Sequence, residues 1–216
     1  MEKRIENVIT ALRKNNMQGI YVPCITDITK TVEDLLFKGA VITSGGSVSL
    51  KESGVWDLIN SEKYCYVDRN KPCSSAEKTE IMKTQIGADF YFCSANAITE
   101  NGELVNVDGN SNRVAAIAFG PKKVIVIAGA NKIVKNVEEG FLRVKEIAAP
   151  KNTVRLGLDT PCSKLGKCVA LTRCDNPAMT DGCESKNRIC RNYLVTANQR
   201  ESDRITVIIC GESLGY

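Results

Sequence analysis

The chain has 216 residues, 43% of them hydrophobic and 25% charged, with a formal net charge of +4 and no histidine. The length favours one domain over residues 1–216 with one sizeable core, and no stretch approaches the roughly 18 consecutive apolar residues of a membrane span. Basic and acidic residues alternate instead of forming a basic stripe, so nucleic acid is not an expected partner, and without histidine the chain lacks Ser-His pairs, Cys-His pairs and imidazole metal ligands.

Hydrophobic periodicity predicts alternating helices and strands in the first half of the chain. The charged first residues contain no apolar segment typical of a secretory signal, so we expect a cytoplasmic protein. In chain order, the pattern predicts a helix over residues 2–15, a strand over 19–22, a helix opened by Asp27, a strand in AVITSGG, a helix over 55–59, a strand in YCYV, a helix over 76–86 and a strand in DFYFC.

The second half continues the alternation. Its predicted elements are a strand in ELVNV, a helix over 114–119 capped by Ser111 or Asn112, a strand in KVIVIAG, an amphipathic helix over 137–148 and a strand in RITVIIC. KVIVIAG is so apolar that both of its faces must be buried. We therefore predict an α/β fold, a mostly parallel Rossmann-like sheet with helices on both faces, in which ligands bind beyond the carboxyl ends of the strands.

A glycine-rich loop, TSGGSVSLKESG, follows the strand in AVITSGG. Between a strand and a helix, bare backbone amides and hydroxyl groups can converge on a phosphate or carboxylate. The alternative is a plain tight turn with Gly46 at positive φ, because the loop matches neither a P-loop nor a dinucleotide fingerprint. The candidate anion-binding residues are Ser44, Gly45, Gly46 and Ser47.

The segment SANAITENGELVNVDGNSNR carries a second set of candidates after DFYFC. Glu100, at the carboxyl end of a strand, is placed to act as a nucleophile or a general base. The alternative is that Asn101-Gly102 forms a hairpin turn between AIT and ELV, which the spacing alone favours. Arg113 is suited to a two-pronged grip on a carboxylate. The candidate ligand-binding residues here are Asn96, Thr99, Asn101, Gly102 and Arg113.

The loop AGANKIV follows the clearest buried strand and contributes Asn131 and Lys132. Its placement predicts that Lys132 faces the same cleft as Glu100 and pairs with a substrate anion. The alternative is a solvated lysine, the usual state of this residue in loops.

A cysteine-rich loop at about residues 161–190 contains five of the ten cysteines. It holds little apolar material, and a metal can replace a missing core. Four thiolates suit either zinc or an iron-sulfur cluster, while the absence of a CxxC pair also leaves free reduced thiols open. The other five cysteines, which lie in or beside apolar runs, are interpreted as small buried hydrophobes: Cys24, Cys65, Cys73, Cys93 and Cys210.

Several of these stretches together resemble the LUD-domain family, the lactate-utilisation proteins. They are ITSGGSVSLKESG, the run from GADFYFCSANAITENG through KVIVIAGANKIV, and the closing RITVIICGESLGY. The resemblance covers nearly the whole chain and implies the fold of the ribose-phosphate isomerase, glucosamine-phosphate deaminase and CoA-transferase superfamily. In similar CoA transferases the glutamate of ENG forms a covalent acyl intermediate, so the resemblance gives Glu100 a catalytic role.

The resemblance also implies a function and partners. It suggests a component of lactate-to-pyruvate oxidation that binds a small anionic metabolite, or else a non-catalytic subunit or regulator that docks on an iron-sulfur protein, or a CoA-transferase-like or sugar-phosphate-binding enzyme. Homo-oligomers are a further expectation. Four cysteines match those of the family and become the candidate ligands of an iron-sulfur cluster or zinc, with Cys174, brought in by an insertion, as a substitute ligand: Cys162, Cys168, Cys183 and Cys190.

Overall fold

A computed structural model of the protein describes residues 2–68 and 74–216. The described α-helices are α1 Glu2–Lys14, α2 Ile28–Glu33, α3 Val48–Glu52, α4 Val55–Ile59, α5 Ser75–Ile86, α6 Asn112–Ala118, α7 Val137–Arg143, α8 Ala149–Arg155 and α9 Pro161–Leu165. A π-helical segment, Val144–Ala148, joins α7 to α8. The described strands are β1 Gln18–Val22, β2 Val41–Ser44, β3 Cys65–Tyr66, β4 Phe90–Cys93, β5 Ala97–Thr99, β6 Leu104–Asp108, β7 Lys123–Gly129, β8 Ile133–Val134, β9 Asn192–Thr196 and β10 Ile205–Cys210.

The main sheet has six strands in the order β1-β10-β7-β4-β2-β3, and every neighbouring pair is parallel. This arrangement confirms the predicted α/β fold. The chain moves outward from β2 to β3 and then returns through β4, β7 and β10, so its direction reverses between β2 and β4. In open parallel sheets such a reversal opens a crevice at the carboxyl ends of the strands.

Alternating side chains of the central strands supply both faces of the core. In β7, Val124 and Val126 belong to one apolar cluster, while Ile125 and Ile127 belong to the other. The first cluster packs on the apolar face of α1, as its helical spacing predicted, and the second lies under α2, α3 and α4. Burial on both faces explains why KVIVIAG is almost continuously apolar.

A second sheet of four strands, in the order β8-β5-β6-β9, was not predicted. In it β5 and β6 form an antiparallel hairpin, β6 pairs antiparallel with β9, and β8 runs parallel to β5. The hairpin was predicted from Asn101-Gly102, and Gly102 has the positive φ of +80° that such a turn requires. Both strands of this hairpin lie in the segment between β4 and α6.

Within the ranges that the structure describes, no helix has both the length and the apolar character needed to cross a membrane.

Candidate functional site

The loops after β2, β4 and β7 meet at the carboxyl edge of the main sheet and enclose a cavity of about 570 Å³. Because β4 lies between β2 and β7, these three loops are neighbours in space although they are far apart in sequence. We call this space the strand-end cavity. Of the sequence-predicted site residues, its wall contains Gly45, Gly46, Ser47, Asn96, Arg113 and Lys132.

The glycine loop shapes one side of the strand-end cavity. Gly45 extends β2, since its amide donates to the carbonyl of Phe92 at 2.9 Å. A Cβ atom at Gly45 would lie 2.8 Å from the hydroxyl oxygen of Tyr91, so a side chain at this position would require the hydroxyl to move. The alternative of a tight turn with Gly46 at positive φ is wrong, because neither Gly45 nor Gly46 has a positive φ. The need for glycine arises from close packing at Gly45 and not from turn geometry.

Ser47 and Ser44 have different roles. Ser47 caps α3, because its Oγ accepts a hydrogen bond from the Leu50 amide at 3.3 Å. Ser44 is buried, its Oγ lies 2.7 Å from the Tyr66 hydroxyl, and it is not in the cavity wall.

Lys132 lies on the buried floor of the strand-end cavity, in a short 3-10 turn directly after β7. Only 2% of its surface is exposed. Its Nζ donates to the hydroxyl groups of Ser49 and Ser94, each at 2.9 Å. Burial lowers the pKa of Lys132 to about 7, and the nearby charges of Arg143 and Arg113 act in the same direction. A substantial fraction of this amine is therefore neutral at physiological pH.

Cys93, beside Lys132 in the cavity wall, has the opposite shift. Burial raises the pKa of Cys93 to about 12, although Arg113 and Lys132 oppose the change. The thiol is therefore protonated at neutral pH, and Cys93 is a poor candidate for a nucleophile.

Arg113 is held by the segment that precedes it. One terminal nitrogen donates to the Ser94 carbonyl at 2.8 Å and to Asn106 Oδ1 at 3.1 Å. The other donates to Asn96 Oδ1 at 2.7 Å and to the Val107 carbonyl at 2.5 Å. Since both terminal nitrogens already bind protein oxygens, Arg113 supplies positive charge to the cavity rather than the expected two-pronged grip.

Arg143 and Asn131 form hydrogen bonds with backbone groups near the cavity. Arg143 is 6% exposed and donates to the carbonyl oxygens of Asn96 at 2.5 Å and Asn131 at 3.3 Å. Asn131, predicted to bind ligand, instead fixes the C-terminal segment: its Nδ2 donates to the Gly215 carbonyl and its Oδ1 accepts from the Leu214 amide. Asn131 lies outside the cavity wall.

Four further basic residues at the cavity wall were not identified from the sequence. Arg155 belongs to α8, and the other three follow the cysteine-rich loop or lie at its end. Arg155 donates to Asn152 Oδ1 at 2.9 Å and to the Tyr216 hydroxyl at 3.0 Å. Together with Arg113 and Lys132 they give the wall six basic side chains, against the single carboxylate of Asp108. The four are Arg155, Lys186, Arg188 and Arg191.

Asp108 is already occupied by the backbone. Its carboxylate accepts hydrogen bonds from the amides of Asn110 at 3.0 Å, Arg113 at 2.7 Å and Val114 at 3.4 Å. It thereby caps the first turn of α6, where a carboxylate is favoured, and neither Ser111 nor Asn112 gives the cap expected from sequence: Ser111 holds the capping position without a side-chain hydrogen bond. A carboxylate in this role leaves the potential of the cavity positive.

The structure does not bring Glu100 to the strand-end cavity. Glu100 follows β5 in the hairpin, where its Oε1 forms an ion pair with Arg4 Nε at 2.7 Å, and each side chain is 43% exposed. Thr99 and Gly102 belong to the same hairpin. Glu100 and Asn101 line a separate depression of about 400 Å³ with residues of α1 and Asn15, which we call the hairpin pocket. The hairpin leads the chain away from the edge of the main sheet, so Glu100 does not face Lys132.

The cysteine-rich loop brings its side chains to different neighbours. Cys162 Sγ lies 3.3 Å from Thr160 Oγ1, Cys190 Sγ lies 3.3 Å from Arg188 Nε, and Cys174 is exposed. In the described parts of the chain, no three Cys, Asp or Glu side chains are grouped as a metal site would require. The expected ligand set with Cys168 and Cys183 is therefore not assembled in this structure.

The remaining cysteines differ in burial. Cys93 and Cys210 are buried, as expected for small hydrophobes, whereas Cys24 and Cys65 are exposed, so that interpretation is wrong for these two. Both exposed thiols lie at the margins of the main sheet, Cys24 just after β1 and Cys65 in the two-residue edge strand β3. Cys73 lies outside the described residues.

Comparisons with known proteins agree with this architecture. The model of the LUD domain family matches residues 5–210. Among solved structures, the crystal structure of a DUF162 family protein from Deinococcus radiodurans is similar, with a TM-score of 0.54 and 14% sequence identity over 97% of this chain and 98% of that chain. At this identity the likeness shows the fold alone. No curated protein matches the chain.

Proposed function

Because the chain belongs to the LUD domain family, we propose that it serves organic-acid metabolism of the lactate-utilisation type and binds a small anionic metabolite in the strand-end cavity. One observation carries the proposal: the residues that line the cavity include six basic residues and one acidic residue. A wall with this balance attracts carboxylates and phosphates and disfavours cations.

The neighbours of the basic residues support the same conclusion. Arg191 donates to the backbone carbonyls of Arg188 at 2.8 Å and Lys186 at 2.6 Å, and Arg155 donates to amide and hydroxyl oxygens. These acceptors orient the guanidinium groups without cancelling their charge. A bound anion would supply the negative charge.

Size and depth also suit a ligand site. A volume of about 570 Å³ lies within the range of roughly 300–1,000 Å³ that is typical of metabolite and cofactor sites. The floor is buried at Ser49, Ser94 and Lys132, while Arg155 and Arg191 are exposed at the rim. A ligand can therefore enter past exposed cations and reach a partly dehydrated floor, where electrostatic attraction is stronger than in water.

The test is calorimetric titration with lactate, pyruvate and a sugar phosphate at low and at moderate salt. We expect binding of at least one of these anions that weakens with salt. Arg191→Gln should weaken that binding about tenfold, since a charge-assisted hydrogen bond is worth about 1.5 kcal/mol.

Arg200→Gln is the matched control because Arg200 is exposed and lies outside the cavity wall. It should bind as the wild type does. Equal affinities of all three proteins, or no binding of any of the anions, would contradict the proposed function.

A further inference from the structure

Lys132 is one of two almost fully buried lysines in the described part of the chain. A buried lysine is normally paired with a charged group, because an isolated ammonium is costly to bury. The hydrogen-bond acceptors of Lys132 Nζ are the neutral hydroxyls of Ser49 and Ser94. A position that served only packing would be filled more favourably by an apolar side chain.

Lys145 provides a comparison within the same chain. It is as buried as Lys132, at 2% exposure, and its Nζ donates to the backbone carbonyl of Asp181. Lys145 is not part of the cavity wall, whereas Lys132 is. Lys145 thus binds the backbone of the cysteine-rich loop, whereas Lys132 lies in the wall of the strand-end cavity, where the ligand is proposed to bind.

The charges around Lys132 keep its amine nucleophilic. Burial has the largest effect, Arg143 and Arg113 also disfavour protonation of the amine, and Glu52 opposes them, so the pKa falls to about 7. The neutral form of a lysine amine is the form that attacks carbonyl carbon, and desolvation is a common way to obtain it.

Building on the proposed anion-binding function, we propose that Lys132 forms an imine with a 2-oxo acid bound in the strand-end cavity. Arg113, which lies in the same wall and whose charge acts on Lys132, would attract the carboxylate that adjoins the carbonyl group. A 2-oxo acid carries both required groups on neighbouring carbon atoms. The site thereby selects the oxidised partner of a hydroxy-acid and oxo-acid pair for covalent capture.

The reaction needs no oxidant or reductant. The nitrogen lone pair attacks the carbonyl carbon, a C–N bond forms, and the C=O π electrons move to oxygen, which takes up a proton. The carbinolamine then loses its hydroxyl group as one molecule of water, giving a protonated C=N bond. The hydroxyls of Ser49 and Ser94, at hydrogen-bond distance from the nitrogen, are placed to relay these protons.

Reductive trapping tests this step. The full-length protein is incubated with pyruvate and sodium cyanoborohydride, and the product is analysed by intact mass and peptide mapping. We expect one adduct per chain, equal to pyruvate less one oxygen atom, located on Lys132. Lactate, which has the carboxylate but no carbonyl, should give no adduct.

Two variants and a pH series sharpen the result. Lys132→Arg, which keeps the positive charge, should lose the adduct, while Lys135→Arg, at an exposed position outside the cavity wall, should keep it. The rate of labelling at Lys132 should rise about tenfold between about pH 6 and pH 8 and then level off, whereas labelling of exposed lysines should continue to rise.

Absence of an adduct on Lys132, or labelling spread evenly over exposed lysines, would overturn the imine. The wild-type experiment does not depend on how the variants fold. Calorimetry with the unreacted protein decides the anion-binding function separately, so an anion that binds without forming an adduct removes the imine and leaves the binding site.

Discussion

The strand-end cavity and the hairpin pocket differ in the burial and the hydrogen-bond partners of their charged residues. In the strand-end cavity, Lys132 is almost fully buried and the hydrogen-bond acceptors of its amine are neutral oxygens. In the hairpin pocket, Glu100 is exposed and forms an ion pair with Arg4. A buried charge without a close opposite charge is costly and persists where function requires it, whereas an exposed ion pair costs little and contributes little. The comparison therefore favours the strand-end cavity as the place of the proposed ligand chemistry.

The largest expected effect comes from Arg113, which holds the wall of the strand-end cavity together. Arg113→Gln removes a guanidinium with four hydrogen bonds to protein oxygens. We expect the free energy of unfolding to fall by about 3 kcal/mol, because buried acceptors lose their charged donor. Urea denaturation measures the change, with Arg200→Gln as the control. A loss as small as the control's would show that this wall is not a coupled network.

Lys132→Met should have the next largest effect on the free energy of unfolding, and it should raise this free energy where Arg113→Gln lowers it. In the folded chain the pKa of Lys132 is about 7, below the ordinary value of 10.5. Between these two pH values the unfolded chain therefore binds more protons than the folded chain. The cost of burying the charge is thus fully present below about pH 7 and declines as pH rises toward the unfolded value.

At about pH 6 we expect Lys132→Met to raise the free energy of unfolding by about 2 kcal/mol, and we expect this gain to be lost by about pH 9, because linkage is worth about 1.4 kcal/mol per pH unit between the two pKa values. Urea denaturation at both pH values measures this difference, and Lys135→Met should show no such pH dependence. A destabilised variant at the lower pH would mean that the buried amine contributes to the fold and is not kept at a cost for function.

The smallest effect is expected at Glu100. Glu100→Gln breaks an ion pair whose two side chains are each 43% exposed, and such pairs contribute about 0–1 kcal/mol. Stability should change by less than about 0.5 kcal/mol, and the affinity measured by calorimetry for the bound anion should stay at the wild-type value. A clear loss of affinity or turnover would restore the acyl-transfer role that the ENG motif implies.

The sequence predicts the site residues that lie close to the end of a main-sheet strand. Gly45, Gly46 and Lys132 could be predicted because each follows directly after an apolar strand of the main sheet, and the carboxyl ends of parallel strands share one edge. Glu100 also follows a strand, but β5 belongs to the antiparallel hairpin, and a two- or three-residue strand does not reveal from its sequence which sheet it joins.

The basic rim could not be predicted for a different reason. Arg155 lies in a segment of unremarkable charge, and although the run KNRICR places Lys186, Arg188 and Arg191 within six residues, only tertiary packing brings α8 and the end of the cysteine-rich loop over the cavity. The cysteine-rich loop contributes no cysteine to the wall; its lining residues are Lys186, Asn187, Arg188 and Ile189. The sequence shows which residues are basic, but it does not show which of them lie at the cavity.

The location of a bound anion tests the central claim most directly. Amide NMR spectra recorded during a pyruvate titration should show the largest, saturable shifts at Gly46, Ser47 and Ser94, with Glu100 and Asn101 nearly unchanged. Saturable shifts centred on Glu100 and Asn101, with the amides around Lys132 unmoved, would contradict the assignment of the anion site to the strand-end cavity.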